Sequence, residues 1–188
     1  MKRIALILFA GLVLVTACAN KAKDHNAQDV SFAQEMIPHH QQAVEMSDMA
    51  VTQASSAKVK DLATRIKAAQ GPEIEQMKGW LSSWGEAVAA KADGGMAGMN
   101  HGGGNKNDMA GMGMMTDAQM KELGAARGGE FDRMFLTMMI GHHEGAVTMA
   151  RTELEKGKHA PAKRLAQAII DAQQKEISEM QGLLNGGI

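Results

Sequence analysis

A duplication constrains the fold of this chain more than any other feature. The segment Met36 to Met46 reads MIPHHQQAVEM, and 103 positions later Met139 to Met149 reads MIGHHEGAVTM. The same gapless offset extends over about residues 32–84 and 135–187. Two copies are too few for a solenoid, which needs three or more units to bury a continuous core. The duplication therefore predicts two helical hairpins packed as one bundle.

Composition supports an all-α fold. Hydrophobic residues make up 45% of the chain but aromatic residues only 3%, and there are 17 methionines and no tyrosine. Alternating β-branched or aromatic runs are missing, whereas Ala, Met, Gln, Lys and Glu are abundant, so strands are not expected. The formal net charge is −1 without a basic block, which argues against nucleic acid as a partner.

Local signals predict where the four helices begin and end. Capping boxes at Ser31-x-x-Gln34 and Thr116-x-x-Gln119 are expected to open the two histidine helices. Pro38 predicts a local kink beside the first histidine pair, unless the helix begins there. The remaining predictions are a break at Ser55-Ser56, a second helix over about 57–90, an end near Gly157 and Pro161 in the first turn of the fourth helix.

The N-terminal segment indicates export. Lys2 and Arg3 precede an apolar run, residues 4–15, that is too short to span a bilayer but typical of a signal peptide. Val15-Thr16-Ala17-Cys18 resembles a bacterial lipobox, and Cys18 is the only cysteine. We predict a lipoprotein signal peptide over 1–17, a lipidated Cys18, a tether over 18–29 and the folded domain over 30–187; an ordinary signal peptide is the alternative. By resemblance to Gram-negative lipoproteins, Ala19 favours a periplasmic protein anchored to the outer membrane.

Helical geometry gives each histidine pair a face shared with methionine. At about 100° per residue, the positions of the motif fall on one core-facing stripe of their helix. The stripes contain Met36, His39, His40 and Met46 in the first helix, and Met139, His142, His143 and Met149 in the third.

A carboxylate lies in the middle of the apolar stripe of each following helix. Glu73 precedes Met77 and Glu176 precedes Met180. A buried carboxylate is costly without a partner, so we expect Glu73 to meet His39 or His40 and Glu176 to meet His142 or His143. Each Glu would either orient a histidine that binds metal through its other nitrogen or ligate the metal itself. A buried His–Glu pair without metal is the alternative.

The Gly-rich residues 91–115 are expected to form a flexible crossover between the hairpins. Exposed methionine is unusual in linkers, and its spacing here suggests thioether ligands for Cu(I) or Ag(I), unless the segment is only low-complexity linker. The candidates are Met96, Met99, His101, Met109, Met112, Met114 and Met115.

Ligand softness favours copper. Thioether and imidazole without thiolate suit Cu(I), with Cu(II) possible at the histidines and silver as a mimic. Structural zinc more often uses cysteines. A di-iron site would need Glu three residues before the histidines, where this chain has Met36, Ile37, Met139 and Ile140.

The two histidine motifs, each followed by E-I-x-x-M (Glu73 to Met77, Glu176 to Met180), resemble the bacterial domain of unknown function 305 family. The resemblance covers about residues 28–187 apart from the linker. It implies a ferritin-like four-helix bundle, export and a link to copper or silver resistance. It also implies the metal ligands His39, His40, Met46, His142, His143 and Met149.

The expected function is an exported, lipid-anchored protein that sequesters copper or hands it to a copper-handling partner, without catalysis. A structural or adaptor lipoprotein with buried His–Glu pairs is the first alternative. A copper oxidoreductase is less supported, because the chain has no tyrosine and no free thiol in its mature form.

Overall fold

A computed structural model describes residues 24–88 and 111–186, and the described part is helical without strands. The all-α prediction is confirmed. None of the described helices is long and apolar enough to cross a membrane. The helices are α1 (Ala27–Gln53), α2 (Ala57–Trp84), α3 (Asp117–Ala125), α4 (Gly128–Lys156) and α5 (Ala160–Asn185).

The two repeats form two antiparallel hairpins, α1 with α2 and α4 with α5. The hairpins meet mainly through α1 and α4, the two histidine helices, whereas α2 and α5 touch only slightly. The four long helices therefore form the predicted bundle, with the duplicated motif at the centre of the interface between its halves.

The prediction for the start of the first helix is wrong. Asn26 caps α1 by accepting from the backbone N–H groups of Gln28 and Asp29, and the Asp29 carboxylate accepts from the Asn26 N–H. Ser31 lies inside the helix and is exposed. Asn26 is preferred because Asp29 completes the capping box and also holds a distant loop. The helix thus includes residues that the sequence assigned to the tether.

The Thr116 capping box is present, but it opens the short helix α3 rather than the histidine helix. The predicted single third helix is therefore wrong. The helix α3 ends at Ala125, and α4 begins at Gly128, whose φ of +61° favours glycine. The two adjacent glycines after Arg127 allow this change of direction.

The other boundary signals are borne out in part. Ser56 precedes α2, Gly157 follows α4 and Pro161 lies in the first turn of α5. The second helix ends at Trp84, earlier than the predicted residue 90, because Gly85 adopts a left-handed conformation (φ +74°). Pro38 lies inside α1, so the alternative that the helix begins there is wrong.

Two buried aspartates tie each hairpin to the loop of the other. Asp29 in α1 accepts from the backbone N–H groups of Lys158 and His159 at 3.0 and 2.8 Å, between α4 and α5. Asp132 in α4 accepts from those of Ser55 and Ser56 at 3.0 and 2.9 Å, between α1 and α2. The two aspartates are themselves 103 positions apart, so the exchange is reciprocal.

The apolar core is divided into two clusters by a polar layer. The first cluster joins the N-terminal half of α1 to the C-terminal half of α4, around Phe32 and Met149. The second cluster joins the C-terminal half of α1 to the N-terminal half of α4, around Met46 and Phe131. The four histidines of the duplicated motif lie between them, and we call them the histidine layer.

Candidate metal centre

The histidine layer is fully inside the bundle. His39 and His40 from α1 and His142 and His143 from α4 are each 0–1% exposed. The core-facing stripe predicted from the helical period therefore holds. Burial of polar rings in an apolar core is unfavourable unless their nitrogens find partners, so the partners of these rings determine what the layer does.

The two hairpins contact each other through the first histidine of each pair. The rings of His39 and His142 have centroids 3.7 Å apart and an interplanar angle of 36°. Within each helix the two rings of a pair are 6.5 and 6.4 Å apart, so both pairs have the same internal arrangement. The layer is thus a nearly two-fold symmetric group of four imidazoles.

The second histidine of each pair meets a glutamate of its own hairpin. His40 Nε2 lies 2.7 Å from Glu73 Oε2, and His143 Nε2 lies 2.8 Å from Glu176 Oε2. The predicted pairing of histidine with glutamate is confirmed, and the structure selects His40 and His143 from the alternatives. A carboxylate at Nε2 fixes the ring orientation and leaves Nδ1 as the free nitrogen.

The first histidine of each pair is held in its neutral form. Burial, and secondly the nearby His40, lower the pKa of His39 to about 3. Burial, and secondly His39, lower the pKa of His142 well below its ordinary value. Both rings are therefore neutral at pH 7 and keep a nitrogen lone pair.

Those lone pairs have no hydrogen-bond partners within the described residues. The Nδ1 atoms of all four histidines are buried and make no hydrogen bond there, and neither does His142 Nε2. Buried polar atoms are rarely left in this state unless a water or an ion satisfies them. The layer therefore has several imidazole nitrogens that could bind a metal cation.

The methionines predicted with the histidines lie in the two apolar clusters that flank the layer. The first cluster contains Met36, Met77 and Met149, and the second contains Met46, Met139 and Met180. All six are at most 8% exposed. The same environment suits packing and soft-metal binding, so their role as ligands stays a prediction.

The described end of the predicted linker reaches the histidine layer. The carbonyl of Met112 lies 3.0 Å from His39 Nε2, and Met114 and Met115 are partly buried nearby in the chain. Met112 packs against the first cluster and Met115 against the second. Met96, Met99, His101 and Met109, and the predicted lipidation site Cys18, lie outside the described residues.

No group of three or more His, Cys, Asp or Glu side chains in residues 24–88 and 111–186 converges as a metal-ligand set. The His–Glu pairs are arranged for hydrogen bonding instead. A metal in this layer would therefore need thioether sulfur, or a small movement of the rings, in addition to the imidazoles.

Sequence reasoning missed several buried polar residues. Asp29 and Asp132 were detectable, since they obey the same 103-residue offset as the histidines. His25 and His159 have no counterpart in the duplication. They meet at one end of the bundle, where both rings pack on Trp84 at centroid distances of 4.5 and 5.0 Å.

Comparison with known proteins gives a family match and several similar structures. The family model described as Domain of unknown function (DUF305) matches residues 29–184. A DUF305 protein of Streptomyces coelicolor, predicted to be secreted, is 33% identical with a TM-score of 0.72, covering 88% of this chain and 95% of that one. A DUF305 fragment from Deinococcus radiodurans is 29% identical with a TM-score of 0.73, covering 86% and 98%.

CopM is similar over most of its length as well. In its Cu(II)-bound form it is 33% identical with a TM-score of 0.67, covering 84% of this chain and 96% of CopM. CopM structures also exist in Cu(I)-bound and silver-bound forms. An uncharacterised protein of Acanthamoeba polyphaga mimivirus is 41% identical over 54 residues, 29% of this chain and 36% of that protein, so the match spans about a third of that relative.

Proposed function

The chain belongs to the DUF305 family, and from this premise we propose that it is an exported protein that binds copper or silver ions without catalysis. It would sequester the ion or pass it to a copper-handling partner. The Cu(II)-, Cu(I)- and silver-bound forms of CopM support the choice of ion.

One observation carries this proposal: four buried imidazoles whose Nδ1 atoms have no hydrogen-bond partner in the described chain. Neutral imidazole is a good ligand for copper, and the lowered pKa of His39 and His142 keeps these rings unprotonated. In an apolar protein interior, protonated histidine would repel a cation. His39 and His142 are thus suited to bind a cation at neutral pH without first losing a proton.

The methionines decide which oxidation state is favoured. Imidazole with thioether, and without thiolate, suits Cu(I) and Ag(I) better than zinc. The proposed ligands are the imidazoles of His39, His40, His142 and His143 and the sulfur atoms of Met36, Met46, Met139 and Met149. Met77 and Met180 would either bind the ion or pack beside these ligands. Glu73 and Glu176 would orient His40 and His143 rather than bind the ion directly.

Export and anchoring are part of the same proposal. The Streptomyces coelicolor relative, predicted to be secreted, supports export. The lipobox-like segment ending at Cys18 supports a lipid anchor, and Ala19 supports its placement at the periplasmic side of the outer membrane. Additional soft-metal ligands are proposed in the linker because of their sulfur and nitrogen donors: Met96, Met99, His101, Met109, Met112, Met114 and Met115.

A structural lipoprotein is the second candidate, and a specific observation favours it. The His40–Glu73 and His143–Glu176 pairs are satisfied hydrogen bonds at 2.7 and 2.8 Å without any ion. If these pairs only stabilise the bundle, then copper or silver would leave the thermal stability unchanged.

The test is a competition titration of Cu(I) against a chromophoric chelator under reducing conditions. The double variant His39→Ala/His142→Ala should bind Cu(I) at least about tenfold more weakly than the native chain, since it removes two of the four proposed imidazole ligands. His159→Phe is the matched control, because His159 is a buried histidine outside the layer that packs on Trp80 and Trp84.

The same proteins are melted with and without Ag(I). An ion that binds the folded state raises the melting temperature, so the native chain and His159→Phe should both shift. The proposal fails if the native chain binds neither ion more tightly than the double variant does.

A further inference from the structure

The segment Met112–Met115, which we call the strap, is fixed to α1 by its backbone. The side chain of Gln42 holds Met115 with two hydrogen bonds: its amide nitrogen donates to the Met115 carbonyl at 2.8 Å, and its oxygen accepts from the Met115 N–H at 2.7 Å. One turn earlier in α1, His39 Nε2 lies 3.0 Å from the Met112 carbonyl. The strap is therefore bonded at both ends.

The strap also lies directly on the backbone of α4, where glycines make room for it. A Cβ at Gly145 would lie 1.7 Å from the Met112 carbonyl oxygen, and a Cβ at Gly113 would lie 2.2 Å from the carbonyl oxygen of Gly141. Gly113 further has φ of +75°, a left-handed conformation that favours glycine. Gly145 and Gly113 are thus required for the strap to reach His39.

The contact with the strap determines which nitrogen of His39 carries the proton. A backbone carbonyl can only accept, so Nε2 must donate and the neutral ring has its lone pair on Nδ1. Glu73 and Glu176 likewise accept a hydrogen bond from Nε2 of His40 and of His143. His142 makes no hydrogen bond through either ring nitrogen within the described chain.

We propose that the strap is the positioning group for His39, and that Gln42 and Gly145 form its seat. The Met112 carbonyl performs for His39 the role that a glutamate performs for the second histidine of each pair, so the linker becomes part of the histidine layer. The effect on metal affinity rests on the proposed function, whereas the effect on the proton position of His39 does not.

The decisive comparison is Gly145→Ala with Gly141→Ala. Both place alanine in α4 and lie about one turn apart, but a Cβ at Gly141 meets nothing within 4 Å. Alanine is the better helix former, so neither variant should lose helix, and circular dichroism checks this. Only Gly145→Ala displaces the strap.

The first readout is the imidazole nitrogen spectrum of the metal-free protein, by long-range proton–nitrogen correlation. We expect a single Nε2–H form of His39 in the native chain and in Gly141→Ala, and a mixture of both neutral forms in Gly145→Ala. Gln42→Ala, which frees the other end of the strap, should shift His39 in the same direction. An unchanged Nε2–H form in both Gly145→Ala and Gln42→Ala would overturn the proposal.

The second readout is Cu(I) affinity in the competition titration. Loss of a group that orients a metal-ligating histidine typically weakens binding by about 10- to 100-fold, and we expect this loss in Gly145→Ala but not in Gly141→Ala. Equal affinities of these two variants would contradict a positioning role. If the native chain itself binds no Cu(I), the proposed function fails while the spectrum still decides whether the strap sets His39.

Discussion

The two hairpins agree at the histidines and differ where the strap crosses them. Their His–Glu distances, 2.7 and 2.8 Å, are nearly equal. By contrast, the position of Gln42 in the first repeat is taken by Gly145 in the second. Gln42 binds the strap, and Gly145 leaves space for it.

The difference shows how one segment can serve a symmetric site. A single strap cannot make equivalent bonds to two equivalent helices. Helix α1 therefore forms the hydrogen bonds with the strap, and α4 leaves space for its backbone. His39 consequently has a hydrogen bond to the strap that His142 does not have. The two halves of the layer therefore differ chemically although their side chains are the same.

The largest effect is expected from breaking the reciprocal loop contacts. Asp132→Ala removes three hydrogen bonds to a buried carboxylate, two from backbone N–H groups and one from the Ser55 hydroxyl. Hydrogen bonds to charged groups contribute about 1.5–3 kcal/mol, so the free energy of unfolding should fall by about 3 kcal/mol or more in urea titrations.

Two further variants sharpen this comparison. Ser55→Ala removes only the hydroxyl and leaves the two backbone hydrogen bonds to Asp132, so the loss should be about 1.5 kcal/mol, the lower end of the range for a hydrogen bond to a charged group. Asp29→Ala should cost at least as much as Asp132→Ala, because Asp29 accepts from the backbone N–H groups of Asn26, Lys158 and His159 and lies beside the protonated Glu153, whereas the neighbour equivalent to Glu153 in the first hairpin is Ala50. A clearly smaller loss for Asp29→Ala would mean that Glu153 is ionised and repels Asp29.

Glu153 should make the stability of the bundle depend on pH. Burial, and secondly the adjacent Asp29, raise its pKa to about 8, while Lys163 opposes the rise. The protonated acid is bound more strongly in the folded state, so this stability is complete below about pH 4.5 and is lost as the pH rises through 8. The free energy of unfolding should fall by about 2 kcal/mol between pH 6.5 and 9.

The matched variant is Glu153→Gln, which keeps the shape of the side chain and cannot ionise. It should show little change between pH 6.5 and 9 in urea titrations of metal-free protein. The range from pH 6.5 to 9 lies above the range in which His39 changes the stability. Its lowered pKa acts in the opposite sense, because the stability that neutral His39 contributes is present above pH 6.5 and is lost as the pH falls. A native curve as flat as that of the variant would show that Glu153 is ionised at neutral pH.

The parts of the fold that follow from periodicity were predictable from the sequence. The 103-residue offset and the helical stripes predict the hairpins and bring Glu73 and Glu176 to the histidines. Which of two adjacent histidines pairs with the glutamate, for example His39 or His40, was not predictable, because both lie on the same stripe. Only the packed helices determine which ring faces the glutamate and which faces the other hairpin.

Contacts made by irregular backbone were not predictable. The start of α1 depended on the capping box of Asn26 and Asp29, and Asp29 also holds a loop 129 residues away in the chain. The bond from His39 to Met112 joins a helix to a Gly-rich segment that has no period. Such contacts depend on where the chain returns in space, which local patterns do not encode.

The smallest effect is expected from an ion pair that the duplication does not repeat. Arg65 in α2 donates to Glu179 in α5 at 2.6 Å. In the other repeat, Ala168 takes the position of Arg65 and Gln76 takes that of Glu179. Both side chains are more than 40% exposed, so solvent and salt screen the pair. Glu179→Gln should lower the free energy of unfolding by about 0.5 kcal/mol at low salt, and by less in 0.5 M salt, where the Debye length is only about 4 Å.

Lys67, which pairs with Asp48 inside the first hairpin, provides the control for this test. Asp48→Asn removes an ion pair of similar exposure that does not join α2 to α5. If Glu179→Gln and Asp48→Asn cost the same, then the contact between α2 and α5 adds nothing specific, and the hairpins are held together by α1, α4 and the loop contacts of Asp29 and Asp132. If Glu179→Gln alone lowered the free energy of unfolding by more than about 1.5 kcal/mol, the contact between α2 and α5 would be a second interface that holds the two hairpins together.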